Sequence, residues 1–259
     1  MSNLTSLQKE GHIAVLRLER PEAMNAISGA MADEIAARAR FVAEDDDAWA
    51  VIVAAAGEKA FCVGADLKER ASFSLDDFYE NRKQIRGMFE ALRAIPQPTI
   101  AAVFGYALGG GFELALSCDL IVAAEGTQLG LPEARVGLLP AGGGTQLLTR
   151  KLGPSRAKDL VFRGARFDAS QALEWGLVSR IARQHELAGT AGELAAEICR
   201  SSPVAVRAAK SSMDAALGVP IEDGIEIEHQ AWEKVIASED RLEGIAAFND
   251  KRDPAWKNR

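Results

Sequence analysis

Two glutamates and a run of glycines are the residues of this 259-residue chain whose types and spacing could do chemistry. Gly109, Gly110 and Gly111 follow an apolar, strand-like segment, and Glu113 comes next inside an apolar helical pattern. Glycines before a helix let backbone N–H groups approach a ligand closely, and the positive end of the helix dipole favours negative charge there. The run therefore indicates an anion hole with an acid or base beside it, although such glycines can also serve close packing alone.

A second carboxylate, Glu133, also has apolar neighbours, since it follows Leu129-Gly130-Leu131-Pro132. Apolar surroundings can drive the pKa values of two carboxylates apart, which leaves one as the acid and the other as the base. Each glutamate has a structural alternative. Glu113 could be an exposed helix residue or the partner of an arginine, and Glu133 could be a first-turn acid after Pro132.

The turn Phe-Cys-Val-Gly-Ala-Asp-Leu at residues 61–67 follows another apolar segment. It could supply a second backbone N–H donor that faces the glycines, because a carbonyl oxyanion needs two convergent donors. The alternative is a simple turn in which Asp66 caps a helix.

Three other chemistries are disfavoured. No Gly-Lys-Ser/Thr follows the glycines, no GxSxG elbow occurs, and His12, His185 and His229 stand alone in the sequence. A nucleotide-phosphate loop, a serine hydrolase and a metal site therefore all lose support.

Alternating strands and helices must position these residues. Strand-like segments are predicted at residues 13–18, 50–55, 99–103 and 120–124, and helices after Ser28 and at 75–95. This alternation predicts an α/β core. After about Thr145 strand-like runs nearly vanish, and Ala-rich helical patterns follow at 193–200, 204–217, 221–237 and 241–251. We predict an α/β core over residues 1–195 and a helical C-terminal region over 196–259.

Composition limits the partners and the compartment. A formal net charge of −7 argues against a nucleic-acid partner held by general electrostatics. Neither a signal peptide nor an apolar run of bilayer length is visible, so no membrane partner is expected. Cys62, Cys118 and Cys199 are scattered, as in a reducing compartment. We expect a cytoplasmic protein.

Taken in order, these segments resemble the crotonase (enoyl-CoA hydratase/isomerase) superfamily over nearly the whole chain. The matching segments are residues 20–26, 61–69, 98–103 through 109–115, 129–133, 140–146, and 240–244 to 248–252. The resemblance implies an α/β fold built as a crotonase-like spiral of ββα units with a C-terminal helical trimerisation region. It also implies assembly as a homotrimer or as a dimer of trimers.

The activity implied by the resemblance is hydration of trans-2-enoyl-CoA thioesters to 3-hydroxyacyl-CoA. The backbone N–H groups of Ala65 and Gly110 would form the oxyanion hole for the thioester carbonyl. Glu113 would activate the water and Glu133 would protonate the α-carbon, but which glutamate is acid and which is base stays open. Coenzyme A belongs to the substrate, so no separate cofactor or metal is implied.

The resemblance also implies a set of substrate-binding positions. Those on the same subunit as the catalytic residues are Ala23, Met24, Val63, Asp66, Leu67, Gly109 and Ala141. Phe248 and Lys251 match positions that reach the CoA of a neighbouring subunit, where Lys251 would meet the 3′-phosphate.

Two departures from the family pattern carry expectations. Phe104 stands where many members have Asn, so we expect a bulkier group behind the glycine loop. Ala141 replaces a commoner Gly near the place where a backbone N–H contacts the catalytic water. Alanine keeps that N–H, so tuned activity is expected rather than its loss.

Alternatives to hydration remain within and outside the family. An enoyl-CoA isomerase or another crotonase-type lyase is the alternative among enzymes. Segments 64–71 and 240–244 look like the methylglutaconyl-CoA hydratase branch, which includes proteins that bind AU-rich RNA through the helix before residues 98–103. That helix carries Arg82, Lys83, Arg86 and Arg93 here, and we expect a solvated face from them instead. The acyl chain is not defined by the sequence.

Overall fold

A computed structural model describes residues 4–259, so residues 1–3 of the predicted core lie outside the described residues. The strands are β1 (Thr5–Glu10), β2 (Ile13–Leu18), β3 (Ala50–Ala55), β4 (Ala60–Cys62), β5 (Thr99–Val103), β6 (Tyr106–Leu108), β7 (Leu120–Ala124), β8 (Gln128–Gly130), β9 (Arg166–Asp168) and β10 (Arg180–Ala182). The helices are α1 (Gly29–Ala43), α2 (Leu67–Arg70), α3 (Leu75–Arg93), α4 (Gly110–Leu116), α5 (Gly144–Leu152), α6 (Pro154–Arg163), α7 (Ala169–Glu174), α8 (Leu187–Cys199), α9 (Pro203–Ala215), α10 (Ile221–Ile236) and α11 (Glu239–Asp250).

Two sheets share the strands between them. One has six strands in the order β1-β2-β3-β5-β7-β10, and the other has four in the order β4-β6-β8-β9. The pairs β3 and β4, β5 and β6, and β7 and β8 each send their first strand to the larger sheet and their second to the smaller one. Helical residues follow each pair, so the chain advances as a spiral of ββα units. The predicted α/β spiral is confirmed, whereas trimerisation by the C-terminal helices remains a prediction.

The long strands form where apolar residues run continuously. β3 and β5 are buried along almost their whole length, as expected for parallel strands covered on both faces. The prediction missed β1, whose polar residues hide its alternation, and the three-residue strands, which are too short to show a period. It also underestimated the strands after Thr145, because β9 and β10 complete the edges of both sheets.

Two of the predicted helices start at side-chain caps. The hydroxyl of Ser28 accepts a hydrogen bond from the amide of Met31, as predicted, and α3 begins with a capping box between Ser74 and Asp77. α8 begins six residues before its predicted start and packs on the larger sheet. The predicted boundary at residues 195 and 196 therefore falls inside α8. Within residues 4–259, no helix combines the length and the apolarity that crossing a bilayer requires.

The smaller sheet positions the candidate site. β4, β6 and β8 are parallel neighbours, so their carboxyl ends meet at one edge. The segments that leave this edge are residues 63–66, 109–110 and 131–133. All three were singled out by their sequence, and the sheet brings them together.

Candidate active site

Two backbone amides lie side by side where β4 and β6 end. A Cβ built on Gly64 would lie 2.9 Å from the nitrogen of Gly110, and one built on Gly110 would lie 3.7 Å from the nitrogen of Ala65. Within residues 4–259, neither the Ala65 nor the Gly110 N–H donates to another group. Two unengaged donors from separate loops are the arrangement that binds an oxyanion.

The loop that carries Ala65 is fixed by its other polar groups. Ile27 donates its amide to the carbonyl of Gly64 at 2.8 Å, and Asp66 donates its amide to the carbonyl of Ile27 at 2.9 Å. The carboxylate of Asp66 accepts the amides of residues 68 and 69 and pairs with Arg20 at 2.6 Å. Asp66 therefore caps α2, and it does so without engaging the Ala65 amide, which has no acceptor among residues 4–259.

Glu113 is held in the first turns of α4 and is only 4% exposed. Its Oε1 accepts the amide of Gly142 at 2.6 Å and that of Gly144 at 2.8 Å. Burial raises the pKa of Glu113, and these two amides oppose the rise, as do the charges of Arg82 and Arg93. Glu113 is thus neither an exposed helix residue nor the direct ion-pair partner of an arginine among the described residues.

Glu133 begins a short 3-10 turn, Glu133–Val136, directly after β8. Its Oε2 is buried and has no hydrogen-bond partner among residues 4–259, and its Oε1 would lie 3.1 Å from a Cβ built on Gly109. Burial raises the pKa of Glu133 to about 7, its own amide opposes the rise, and the charge of Glu113 adds to it. Glu133 has the position of a first-turn acid, but its carboxyl points towards the glycine loop at residues 109–110.

One cavity of about 420 Å³ joins the two amides and the two glutamates. Its wall is mostly apolar, with contributions from Ile27, Phe78, Ile85, Phe89, Leu138 and Leu139. Among the predicted substrate-binding residues, Val63, Leu67, Gly109 and Ala141 line it as well. An apolar cavity with a few convergent polar groups is typical of an enzyme site for a largely apolar substrate.

The remaining predicted residues lie outside that wall. Met24 accepts the amide of Val63 through its carbonyl at 3.3 Å, so Ala23 and Met24 flank the cavity. Phe248 is 84% exposed, and Lys251 ends α11 in the left-handed region, at φ 54°. Phe248 and Lys251 do not line the cavity of their own chain.

Sequence reasoning missed the loop contacts made by two arginines of α3. Lys83 and Arg86 form exposed ion pairs, as expected of a solvated face. Arg82 and Arg93 instead donate to backbone carbonyls of the loop at residues 140–144. Spacing gives no signal that separates them, because Arg86 lies four residues after Arg82 and shares the same side of α3.

Phe104 belongs to another part of the molecule. It lines a second cavity, of about 730 Å³, together with Ala102 and Leu187. The cavity lies beside the larger sheet and the start of α8. The side chain of Phe104 does not line the cavity that holds the glutamates.

Comparison with known proteins agrees with this geometry. A sequence profile of the family described as enoyl-CoA hydratase/isomerase matches residues 8–259. The chain belongs to this family. Its fold is that of solved members: the 1.8 Å crystal structure of enoyl-CoA hydratase from Bacillus anthracis superimposes with a TM-score of 0.97 at 40% identity, over 99% of this chain and 100% of that one.

Two curated relatives show the same breadth of similarity. YngF from Bacillus subtilis (strain 168), provisionally named an enoyl-CoA hydratase/isomerase, is 42% identical over 249 residues, which are 96% of each chain. Mouse (Mus musculus) enoyl-CoA hydratase domain-containing protein 2, mitochondrial, is 41% identical over 248 residues, which cover 94% of this chain and 84% of that protein. These family members match the chain along almost its whole length, so the resemblance seen in the sequence is confirmed.

Proposed function

We propose that this family member hydrates trans-2-enoyl-CoA thioesters to 3-hydroxyacyl-CoA. The observation that carries the proposal is the convergence of two carboxylates and two unengaged amides on one apolar cavity. Hydration of a conjugated thioester needs these three functions: polarisation of the carbonyl, a base for water and an acid for the α-carbon.

The amides of Ala65 and Gly110 would receive the thioester oxygen. Addition of water at the β-carbon moves an electron pair through the α-carbon to that oxygen and creates an enolate. Donors that already face the site stabilise this charge without reorganisation, and each lowers the barrier by roughly 3–4 kcal/mol.

Glu113 would act as the base through Oε2. Both amide hydrogen bonds go to Oε1, and Oε2 accepts none from the described residues. The amides stabilise the ionised form, so the carboxylate can hold a water and take its proton while the remaining hydroxide oxygen bonds to the β-carbon.

Glu133 would act as the acid. With a pKa of about 7, its carboxyl carries a proton in a large share of molecules at neutral pH. It would give that proton to the α-carbon as the enolate collapses, and the two glutamates would then exchange protons with solvent to reset. Because the carboxyls influence each other, their titrations belong to the pair.

Solvent oxygen labelling tests the reaction. Crotonyl-CoA incubated with the protein in ¹⁸O-water should give a 3-hydroxybutyryl-CoA that carries one ¹⁸O, as read by mass spectrometry. A Δ3-enoyl-CoA that is converted to the Δ2 isomer without oxygen uptake, while crotonyl-CoA stays unchanged, would identify an isomerase that uses Glu133 to shuttle a proton.

An RNA-binding role draws less support from the site. Of the four cations on α3, Arg82 and Arg93 are engaged with the loop at 140–144. Salt-sensitive retention on AU-rich RNA without any acyl-CoA turnover would nonetheless favour that role over catalysis.

Assembly belongs to the same proposal. Helices α9 to α11 leave many large apolar side chains exposed, among them Met213, Ile221, Ile225, Trp232, Ile236, Leu242, Ile245 and Phe248. We propose that copies of the chain bury this surface in a homotrimer or a dimer of trimers, which would carry Phe248 and Lys251 to a neighbour's CoA. Light scattering gives the mass, and Lys251→Gln should raise the KM for acyl-CoA with kcat little changed.

A further inference from the structure

The loop at residues 140–144 is fastened from two sides. On one side, the amides of Gly142 and Gly144 donate to Glu113. On the other, Arg82 Nη2 donates to the carbonyl of Ala141 at 2.8 Å, and Arg93 Nη1 donates to the carbonyl of Gly142 at 3.0 Å. Both arginines come from α3, which places the loop between that helix and Glu113.

Arg82 and Glu113 bind opposite ends of the same peptide group, the one between Ala141 and Gly142. The carbonyl of Ala141 and the N–H of Gly142 belong to one planar unit, so they point in opposite directions. A guanidinium at the carbonyl end fixes the direction of the N–H and polarises it towards its acceptor. Arg82 therefore holds and strengthens a donor to Glu113, and Arg93 holds the following peptide.

Two glycines of the loop have no room for a side chain. A Cβ on Gly142 would lie 2.2 Å from Phe89 Cε2, and one on Gly144 would lie 2.9 Å from Glu113 Oε1. Close approach therefore requires glycine at both positions. Since glycine has the most backbone freedom to lose, a loop built from it depends on contacts outside itself for its geometry.

We propose that Arg82 and Arg93 are positioning residues that hold the 140–144 loop so that its amides aim at Glu113. Neither touches the reacting atoms in this account. Arg93 acts through the loop alone, and Arg82, which also lines the cavity, holds the loop from the cavity side. The proposal rests on the proposed function only in taking Glu113 to be the catalytic base.

The charged groups that face Glu113 give the proposal a pH signature. Arg82 and Arg93 face it from α3, and Glu133 faces it from the segment after β8. Loss of either arginine removes a positive charge and loosens two amide donors. Both changes favour the protonated carboxyl, so the pKa of Glu113 rises and the acidic limb of kcat moves to higher pH.

The test compares Arg93→Gln and Arg82→Gln with Arg86→Gln, which removes a cation of the same helix that pairs with Glu90 in solvent. We expect the first two variants to lose kcat by about 10- to 100-fold, because a misplaced base costs rate. KM should stay within about twofold in Arg93→Gln, which is the cleaner test because Arg93 does not line the cavity. The acidic limb of both variants should move to higher pH, Arg86→Gln should match the wild type, and Arg93→Lys, which keeps the charge and one donor, should recover part of the loss.

Hydrogen–deuterium exchange supplies a readout that does not depend on turnover. The peptide that contains residues 140–147 should exchange on the order of tenfold faster in Arg93→Gln and Arg82→Gln than in the wild type or Arg86→Gln. Equal exchange and equal kcat in all three variants would overturn the proposal. So would a lower melting temperature with kcat and the pH limb unmoved. If the wild type does not hydrate enoyl-CoA, the proposed function fails, while the exchange result still decides the role of the arginines.

Discussion

Glu113 and Glu133 are both glutamates of one cavity, but they lie in separate walls of it, and the two walls offer their carboxyls different hydrogen-bond partners. In the wall built by α4 and the 140–144 loop, Glu113 accepts two amides through one oxygen. In the wall after β8, Glu133 has a buried oxygen without a partner among residues 4–259, and the turn it begins leads to the exposed side chains of Val136 and Leu139.

The difference shows how one apolar cavity can hold an acid and a base. Burial raises the pKa of both carboxyls, so burial alone does not make one the acid and the other the base. Amide donors at Glu113 compensate the ionised form, whereas only its own amide does so at Glu133. The wall with donors suits the base, and the wall without them suits the acid.

Replacing Glu113, whose carboxylate accepts the two loop amides, should have the largest effect on kcat. Glu113→Gln should lower kcat by about 10³- to 10⁴-fold, because the amide side chain cannot take a proton from water. Its oxygen still accepts the loop amides, so the melting temperature should stay near that of the wild type. Steady-state hydration of crotonyl-CoA measures the effect, and near-normal turnover would contradict the assignment of Glu113.

The second-largest effect is expected from a side chain that fills the space beside the Ala65 and Gly110 amides. Gly64→Ala would place a Cβ 2.9 Å from the Gly110 nitrogen, where the thioester oxygen has to bind. We expect kcat to fall about 10²- to 10³-fold. Gly64→Ala also strains a backbone at φ 94°, so an unchanged thermal melt has to show that the variant folds. Gly87→Ala on α3, where an added Cβ meets nothing within 4 Å, controls for the added methyl group alone. If both variants retain full activity, the amides of Ala65 and Gly110 do not form the oxyanion hole.

The pH dependence of kcat/KM should report the ionisation of Glu133. An acid has to be protonated to act, so kcat/KM should fall as pH rises through about 7, where the Glu133 carboxyl of the free protein ionises. A pH profile of initial rates at substrate concentrations well below KM measures this basic limb. A plateau that extends through pH 9 would show that Glu133 is not the proton donor.

The free energy of unfolding should also depend on the ionisation of Glu133, with a smaller effect. The pKa of Glu133 is raised from 4.5 to about 7 by folding, so between these values the unfolded chain loses its proton first. The free energy of unfolding therefore declines as pH rises from 4.5 to 7. Above pH 7, Glu133 causes no further decline. Urea titrations of wild type and Glu133→Gln at pH 5 and pH 8 should show the smaller decline in the variant; equal declines would mean that burial of Glu133 carries no such cost.

The smallest effect is expected at Asp66, outside both walls. Asp66→Ala removes the cap of α2 and the partner of Arg20, which should cost about 1–2 kcal/mol of stability. Because these contacts help to fix the loop that carries Ala65, kcat should also fall, but only by roughly a few-fold. Asp66→Asn, which can still cap, separates the cap from the ion pair. A large rise in KM for Asp66→Asn would instead show that the carboxylate itself binds CoA.

The two cavity glutamates and the main strands could be predicted from the sequence, because each has a local signal. Continuous apolar runs identified β3 and β5, and unusual apolar neighbours singled out Glu113 and Glu133. The three-residue strands β4, β6 and β8 carry no such signal, although they bring the site together.

The arginines were missed for a different reason. Arg82 and Arg93 bind carbonyls that lie 59 and 49 residues further along the chain. Local patterning distinguishes an exposed face from a buried one, but it does not show which distant loop a side chain reaches. Their roles became visible only when the fold placed α3 against the loop.

Proton exchange into a saturated thioester separates the two walls most directly, because it needs the oxyanion hole and the residue at the α-carbon but no water at the β-carbon. Butyryl-CoA incubated in ²H₂O with Glu113→Gln should still gain deuterium at the α-carbon within about tenfold of the wild-type rate, and with Glu133→Gln the gain should fall by about 10²-fold or more. The reverse pattern, with exchange lost in Glu113→Gln and kept in Glu133→Gln, would contradict the assignment of base and acid.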